Sequence, residues 1–417
     1  MTAQTSPVGP LTGVRVLDLT RHLAGPYATT ILGDFGADVI KVESRPSGDP
    51  TRVLRTAGEA QDRDSAAFVN YNHGKRSIAI DLRTPAGVEV VKRLAANADV
   101  LIENYRPGVT DSIGIGYEVL HEINPRLIYC SVSAFGQTGP WSRQPATDPV
   151  IQAMSGLLRV TGHPGDPVRV GVPIGDVMGA MSSIQGILMA LFARERTGEG
   201  QWVDVSLLHS LALTHTTRLA EYYSTQKEPA GQGTAHSLVA PYELFKTADG
   251  EVIAGSWAED TWPRFCRAID RPDLENDPRY ATNVLRVRNR AELAALISEV
   301  MAKKTTAEWQ EKFHAAKALF GPMLTMSQVL SFEQMDDRPA VVDVAHPVIG
   351  AVSVPNPASA VVLHGTPGGV RLAPPTYSEH ARAILDEAGY DETEIAEMGA
   401  GGVILIPDFA GAEAVDA

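Results

Sequence analysis

The chain has 417 residues, which suggests two domains or one domain with a large insertion. It is 44% hydrophobic and 21% charged, ordinary values for a globular protein with a sizeable core. Its 36 Lys and Arg against 50 Asp and Glu leave a net charge of −14, which argues against a broad nucleic-acid or anionic-membrane surface but allows a local basic pocket. The two cysteines, Cys130 and Cys266, sit in apolar sequence without a CxxC or Cys/His cluster and read as reduced core residues. The opening MTAQTSPVGPLTG has no basic run and no apolar core, so no signal peptide is expected. The uncharged stretch around 184–193 is too short to predict a membrane span. These features predict a cytoplasmic protein.

In chain order, VRVLDL at 14–19 reads as a buried strand, TRHLAGP at 20–26 as a turn and YATTILGDF at 27–35 as a short helix. A second strand at 39–42 completes a β-α-β opening. Further strands are predicted at 77–82, 99–102 and 127–132, with helices at about 85–96 and 117–122 between them. Solidly apolar strands alternating with helices predict a parallel or mostly parallel sheet covered on both faces. A Gly/Pro/Ser loop at 133–148 precedes a helix at 149–158. The extended apolar run 170–174 meets Gly175 and Asp176, and a helical pattern without charge then continues to Arg194. GQWVDVSLL suggests one more strand, followed by a long helix to about 223. The polar stretch 224–237 is the linker candidate. A hairpin at 242–254 and short helices at 262–317 follow, with a second boundary near 320–325. The remainder suggests strands around 352–354 and 360–362, a helix at 380–388 and a loose tail at 406–417. The expected units are 1–223, 224–325 and 326–417.

Several chemistries lack their motifs. No GxGxxG follows the first strand, and Gly74-Lys75 is followed by Arg76 rather than Ser or Thr. There is no HExxH, no His pair at metal spacing and no GxSxG. What remains are polar residues just after strand ends: Arg21, His22, Arg45, Arg83, residues 104–106, Asp148 and Asp176. Ligands of open α/β sheets bind at such positions. Asp176 has two readings. It is a good N-cap for the following helix. A helix N-terminus also favours negative charge and presents free N–H groups, which suits a nucleophilic carboxylate.

A resemblance bears on that choice. The segments LDLTRHLAGP (17–26), LGDFGADVIKVE (32–43), GDPTR (48–52), NHGKRSIAIDL (72–82), ENYRPG (103–108), SVSAFGQTGP (131–140), DPVIQAMSG (148–156) and VPIGD (172–176) occur in order. The sequence carrying them resembles the class III CoA-transferases, the CaiB/BaiF-like family that includes formyl-CoA:oxalate CoA-transferase. That resemblance implies an α/β fold: a Rossmann-like large domain with a parallel sheet built from both chain ends, and a smaller α+β domain inserted from the middle. It also implies an interlocked homodimer. It makes Asp176 the nucleophile and places CoA contacts at Leu23, Ala24, Arg45, Ile80, Asp81, Leu82, Arg83, Asn104, Tyr105 and Arg106. Asp148 matches an acidic residue of the family's site. No metal and no permanently bound cofactor are implied, because coenzyme A and acyl-CoA enter as substrates together with a small carboxylic acid.

The implied reaction moves CoA from a donor, succinyl-CoA being frequent among relatives, to a free acid through an aspartyl anhydride and an aspartyl-CoA thioester. The chain departs from many relatives at Ser44, where Arg45 takes over an expected arginine, and at Ser112, where a basic residue is common. Thr147 stands where an aromatic is common, and Gly231-Gln232-Gly233 only partly echoes a Gly-rich loop over the site. Two alternatives stand beside this reading. One is an α-methylacyl-CoA racemase or epimerase, whose HDxNY-type segment is here Thr147-Asp148-Pro149-Val150-Ile151. The other is a non-catalytic CoA-binding module with Asp176 as a plain cap.

Overall fold

Six parallel strands form the centre of the larger unit. They are β1 (Arg15–Asp18), β2 (Asp38–Ser44), β3 (Lys75–Ile80), β4 (Val100–Glu103), β5 (Ile128–Ser133) and a last strand at Trp202–Ser206. The computed structural model describes residues 9–60 and 64–407. The sheet order is β3-β2-β1-β4-β5 followed by Trp202–Ser206. The chain winds outward from β1 to β3, then returns to β1's other side with β4 and winds the opposite way. The reversal between β1 and β4 is a topological switch point, where a crevice opens at the carboxyl ends of the strands.

The sheet forms where it does because its strands are runs of Val, Ile and Leu that are buried on both faces. Its main core cluster joins Leu17, Ile40, Ile78, Leu101 and Tyr129 to residues from the end of the chain. Ile384, Leu385, Ile395 and Ile404 belong to this cluster, and Ile404 forms an isolated antiparallel bridge with Ile80. Both chain ends therefore build the large unit, as the resemblance implies.

By contacts, the chain divides into two units. One takes the described residues up to Ser155, Val170–Thr216 and the described residues from Gln334 onward. The other takes Gly156–Arg169 and Thr217–Glu333. The second unit has its own three-stranded antiparallel sheet, ordered Leu319–Pro322, Glu251–Gly255, Tyr242–Lys246. Its core is aromatic, with Trp262, Phe265, Trp309 and Phe313 all buried.

Several expectations differ from the structure. The long helix expected to about 223 is broken into Leu207–Ala212 and Thr216–Thr225, with the first helix ending in a turn at Leu213–His215. The strand near 352 runs Gly350–Pro355 and pairs with Val341–His346, and 360–362 forms no strand. A last helix, Glu392–Ala400, opens with a capping box between Asp391 and Glu394. Ile174–Thr197 is one 24-residue helix, long and apolar enough by length and composition to cross a membrane, with a mean hydropathy of 1.4 over its best window. It packs along the sheet against β5, the Trp202–Ser206 strand and helix α1 (Ala24–Asp34). Its small buried residues Gly179, Ala180 and Ser183 allow the close approach. The expected tail from 408 onward lies outside the described residues.

Candidate active site

The run 170–173 is not a strand. A glutamine side chain holds it instead: Val170 N–H donates to Gln152 Oε1 at 3.0 Å, and Gln152 Nε2 donates to the Val172 carbonyl at 3.3 Å. The helix starts at Ile174 after Pro173, with no side chain of its own capping it. Asp176 is thus the third helical residue rather than the N-cap. The capping role falls to Asp148, in the first turn of the Asp148–Met154 helix. Its Oδ1 accepts from Gly175 N–H at 2.7 Å, and its Oδ2 accepts from Gln152 Nε2 at 2.7 Å. A Cβ on Gly175 would lie 2.9 Å from Asp148 Oδ1, so only glycine permits this contact unchanged. The carboxylate expected to cap the helix is released from that duty by another carboxylate.

Electrostatics at Asp176 run against the sequence expectation that the helix terminus keeps it ionised. Burial, and then the negative charge of Asp148, push its pKa up to about 6. At pH 7 roughly nine in ten molecules still carry the carboxylate. That carboxylate is more basic than a solvated one and partly desolvated.

Asp176 lies in the wall of a cavity of about 680 Å³ at the carboxyl ends of β1, β4 and β5. The cavity is lined by the turn after β1 (His22, Leu23, Ala24), by Asn104, Tyr105 and Arg106 after β4, by the 144–150 segment with Asp148, and by Tyr71 of α2 (Ala66–Asn72). Burial, and then the charge of Asp176, raise the Tyr71 hydroxyl pKa, so the two groups share one electrostatic environment. His22 is exposed and has a left-handed backbone with φ 65°, uncommon for a non-glycine residue. The Asn104 amide is held on both sides: Arg21 N–H donates to its Oδ1 at 2.9 Å and its Nδ2 donates to the Arg21 carbonyl at 2.7 Å. The Arg21 guanidinium lies 4.7 Å from the Tyr105 ring centroid. Tyr105 N–H donates to Glu103, whose pKa burial pushes up to about 7. Arg106 is exposed at the cavity and forms no ion pair among the described residues.

The structure therefore gathers Leu23, Ala24, Asn104, Tyr105, Arg106, Asp148 and Asp176 around one cavity. Arg45, Ile80, Asp81, Leu82 and Arg83 lie on the same edge of the sheet but beyond that cavity, at the carboxyl ends of β2 and β3. Arg45 Nη1 donates to the Ile404 carbonyl at 3.0 Å. The Ile80 side chain is wholly buried in the core and offers a ligand nothing. Arg83 is 76% exposed at its side chain and paired with Asp81 at 2.8 Å.

Ser112 Oγ donates to the Val109 carbonyl in its own turn. In the second unit, Gly231 and Gly233 are packing residues. Their N–H groups donate to the carbonyls of Arg159 and Gly162, and a Cβ on Gly231 would lie 2.4 Å from the Gly162 carbonyl oxygen. Sequence reasoning missed Gln152, Gly175 and Tyr71 as parts of the site. Gln152 stands four residues after Asp148, a spacing that places both on one helix face and could have flagged the pair.

Comparison with known proteins places this site in context. The model of CoA-transferase family III matches residues 11–381. A succinyl-CoA:glutarate CoA-transferase of Mus musculus is 41% identical over 397 residues, covering 95% of this chain and 90% of that protein. A succinyl-CoA–D-citramalate CoA-transferase of Chloroflexus aurantiacus is 36% identical over 402 residues, covering 95% and 99%. A crystal structure of a CaiB/BaiF family protein from Brucella suis matches with a TM-score of 0.81 at 35% identity, covering 91% of this chain and all of that one. Agreement along nearly the whole chain, in sequence and in fold, leads to one conclusion: the chain belongs to CoA-transferase family III and is an enzyme of that family.

Proposed function

We propose that this CoA-transferase moves CoA from succinyl-CoA to a small dicarboxylic acid, with Asp176 as the covalent nucleophile. The observation that carries the nucleophile assignment is the setting of Asp176. It is a partly buried carboxylate in a cavity wall, raised in pKa, with no cation beside it among the described residues and no capping duty. The donor and acceptor classes are supported by relatives named for succinyl-CoA with glutarate and with D-citramalate.

The chemistry is a series of acyl exchanges. An Asp176 carboxylate oxygen attacks the thioester carbonyl carbon, the C–S bond breaks, and CoA leaves as thiolate from a mixed anhydride. The thiolate attacks the aspartyl carbonyl of that anhydride and displaces the donor acid, which leaves an aspartyl-CoA thioester. The acceptor carboxylate displaces CoA thiolate from that thioester and forms a second anhydride. The thiolate then attacks the acceptor's carbonyl, releasing the new acyl-CoA and the free Asp176 carboxylate. Each step exchanges one nucleophile for one leaving group, so no net proton or electron moves. Three of the first four N–H groups of the helix are engaged, Ile174 with the Val172 carbonyl, Gly175 with Asp148 and Val177 with the Pro173 carbonyl. Acyl-CoA and CoA come and go as substrates, and Arg45 and Arg83 at the carboxyl ends of β2 and β3 lie on the edge where the rest of the CoA molecule would run.

We further read the protein as a cytoplasmic homodimer. Leu188, Met189 and Phe192 of the Ile174–Thr197 helix and Leu213 beyond it are exposed apolar residues, suited to cover by a second copy. Light scattering after size exclusion is expected to give twice the chain mass. The activity is tested by incubating succinyl-CoA with a panel of mono- and dicarboxylic acids and identifying new acyl-CoA species by mass spectrometry. Exchange is expected with short dicarboxylates, and no exchange with any acid overturns the reading.

A further inference from the structure

The turn after β1 forms one wall of the cavity, and the groups that fix its shape lie beneath it. The Thr20 carbonyl, at the start of the turn, accepts from Lys41 Nζ at 3.0 Å. The Pro26 carbonyl, in the first turn of the helix that follows, accepts from Lys75 Nζ at 2.9 Å. Lys75 Nζ also reaches the Tyr71 carbonyl at 3.1 Å and Asn72 Oδ1 at 2.9 Å. One ammonium group thus ties the turn to the helix end that brings Tyr71 to the cavity. Lys75 is ion-paired with Asp18 at 3.0 Å and Lys41 with Asp49 at 2.9 Å, and both lysine side chains are completely buried. Asp18 and Asp49 reach the turn as well. Asp18 Oδ1 accepts from Thr20 N–H at 2.8 Å, and Asp49 Oδ1 accepts from His22 N–H at 3.4 Å.

Two fully buried lysines in strands need a reason. Taking such charges out of water is costly, and buried ion pairs are weak contributors to stability. What these two supply is donors for carbonyls that frame the cavity: Thr20 in the turn, Pro26 in the first turn of α1 and Tyr71 near the end of α2. The turn they brace includes His22 in its left-handed conformation, which persists only where the surroundings over-determine it.

We infer that Lys41 and Lys75 are positioning residues for CoA transfer, bracing the turn after β1 at Thr20 and the start of α1 at Pro26 and, through Lys75, joining them to Tyr71. The inference rests on the reading that acyl-CoA occupies the Asp176 cavity. It adds a pH signature. Burial pulls the Lys75 ammonium pKa down to about 8, with the like charge of Lys41 adding to that and Asp18 and Asp49 opposing it. Asp34, on α1, is a further charged neighbour of Lys75.

The test compares Lys75→Met, Lys41→Met and Leu385→Ala. The last is a core change in the large unit away from the cavity, and it controls for lost stability. Both lysine variants are expected to raise the KM for acyl-CoA by about tenfold or more, as misplacement of a cavity wall does. Leu385→Ala is expected to leave KM unchanged at a comparable fall in Tm. The wild type is expected to lose kcat/KM above about pH 8, and Lys75→Met to lack that alkaline limb while Lys41→Met keeps it. A folded Lys75→Met with wild-type KM overturns the inference, as does a KM rise matched by Leu385→Ala. If Lys75→Met does not fold, Lys41→Met decides on the same KM criterion. Calorimetry of acyl-CoA with Asp176→Ala separates the two layers: absence of binding there overturns the cavity reading itself, and binding with unaltered KM in the lysine variants overturns only the bracing role.

Discussion

Asp18, beneath the cavity, and Asp176, in its wall, both lie out of water and end in opposite states. Burial pushes the pKa of each upward. At Asp18 that push is outweighed by Lys75, Lys41 and the hydroxyls of Thr20 and Thr29, and the carboxyl is held well below the usual carboxylate range. At Asp176 the other influence among the described residues is the like charge of Asp148, which pushes the same way. Burial alone therefore does not distinguish a structural carboxylate from a reactive one. The partners do: Asp18 spends its oxygens on four donors from the protein, and no such donor reaches Asp176 among the described residues, which suits the nucleophilic role proposed for it.

The contrast can be broken most severely at Asp176. Asp176→Ala is expected to transfer CoA at under about a thousandth of the wild-type rate while still binding acyl-CoA, measured by initial rates and calorimetry. Next comes Asp18→Ala, which leaves Lys75 buried without its counter-ion. It is expected to cost about 3–5 kcal/mol in urea denaturation, the range for breaking a buried pair from one side.

A smaller effect has the opposite sign. Because the folded Asp176 pKa of about 6 lies above its ordinary 3.8, the native state binds the proton more tightly. Its contribution therefore weakens the fold as pH rises from about 4 to 6. Asp176→Asn is expected to stabilise the protein by about 1–2 kcal/mol at pH 7, with the gain fading toward pH 4. For Asp18, whose folded pKa is lowered, the contribution is present above its ordinary value and lost as pH falls below it. The smallest change is Arg83→Ala. Its side chain is exposed and paired only with Asp81 two residues away, so no resolvable shift in Tm is expected. A modest rise in the KM for CoA there would place the far part of the ligand on the β3 edge.

Much of this was legible from the chain, and the failures have physical causes. The strands of the large sheet are apolar on both faces, so their order of appearance and parallel pairing follow from pattern alone. Asp176 stood out because so few other chemistries were on offer. Its exact place in the helix did not, because the segment before it is held by Gln152 and Asp148 from another helix, contacts that no local window contains. The break at 213–215 carries no Gly or Pro, and the partner of the 350–355 strand is set by a hairpin whose strands are mostly half-exposed. Lys41 and Lys75 were invisible as core residues for a related reason. A lysine in a strand reads as solvent-facing until its counter-ion and acceptor carbonyls are known.

Asn104 carries a last consequence. Its amide gives and takes one hydrogen bond with the backbone of Arg21, as a strand residue would with its neighbour. It thereby adds a rung to the ladder between β1 and β4 just past the point where the two strands part. The mouth of the crevice is held at a fixed gauge before any ligand arrives. Less ordering is then left for the moment of binding, which lowers the entropic cost for whatever ligand the crevice takes.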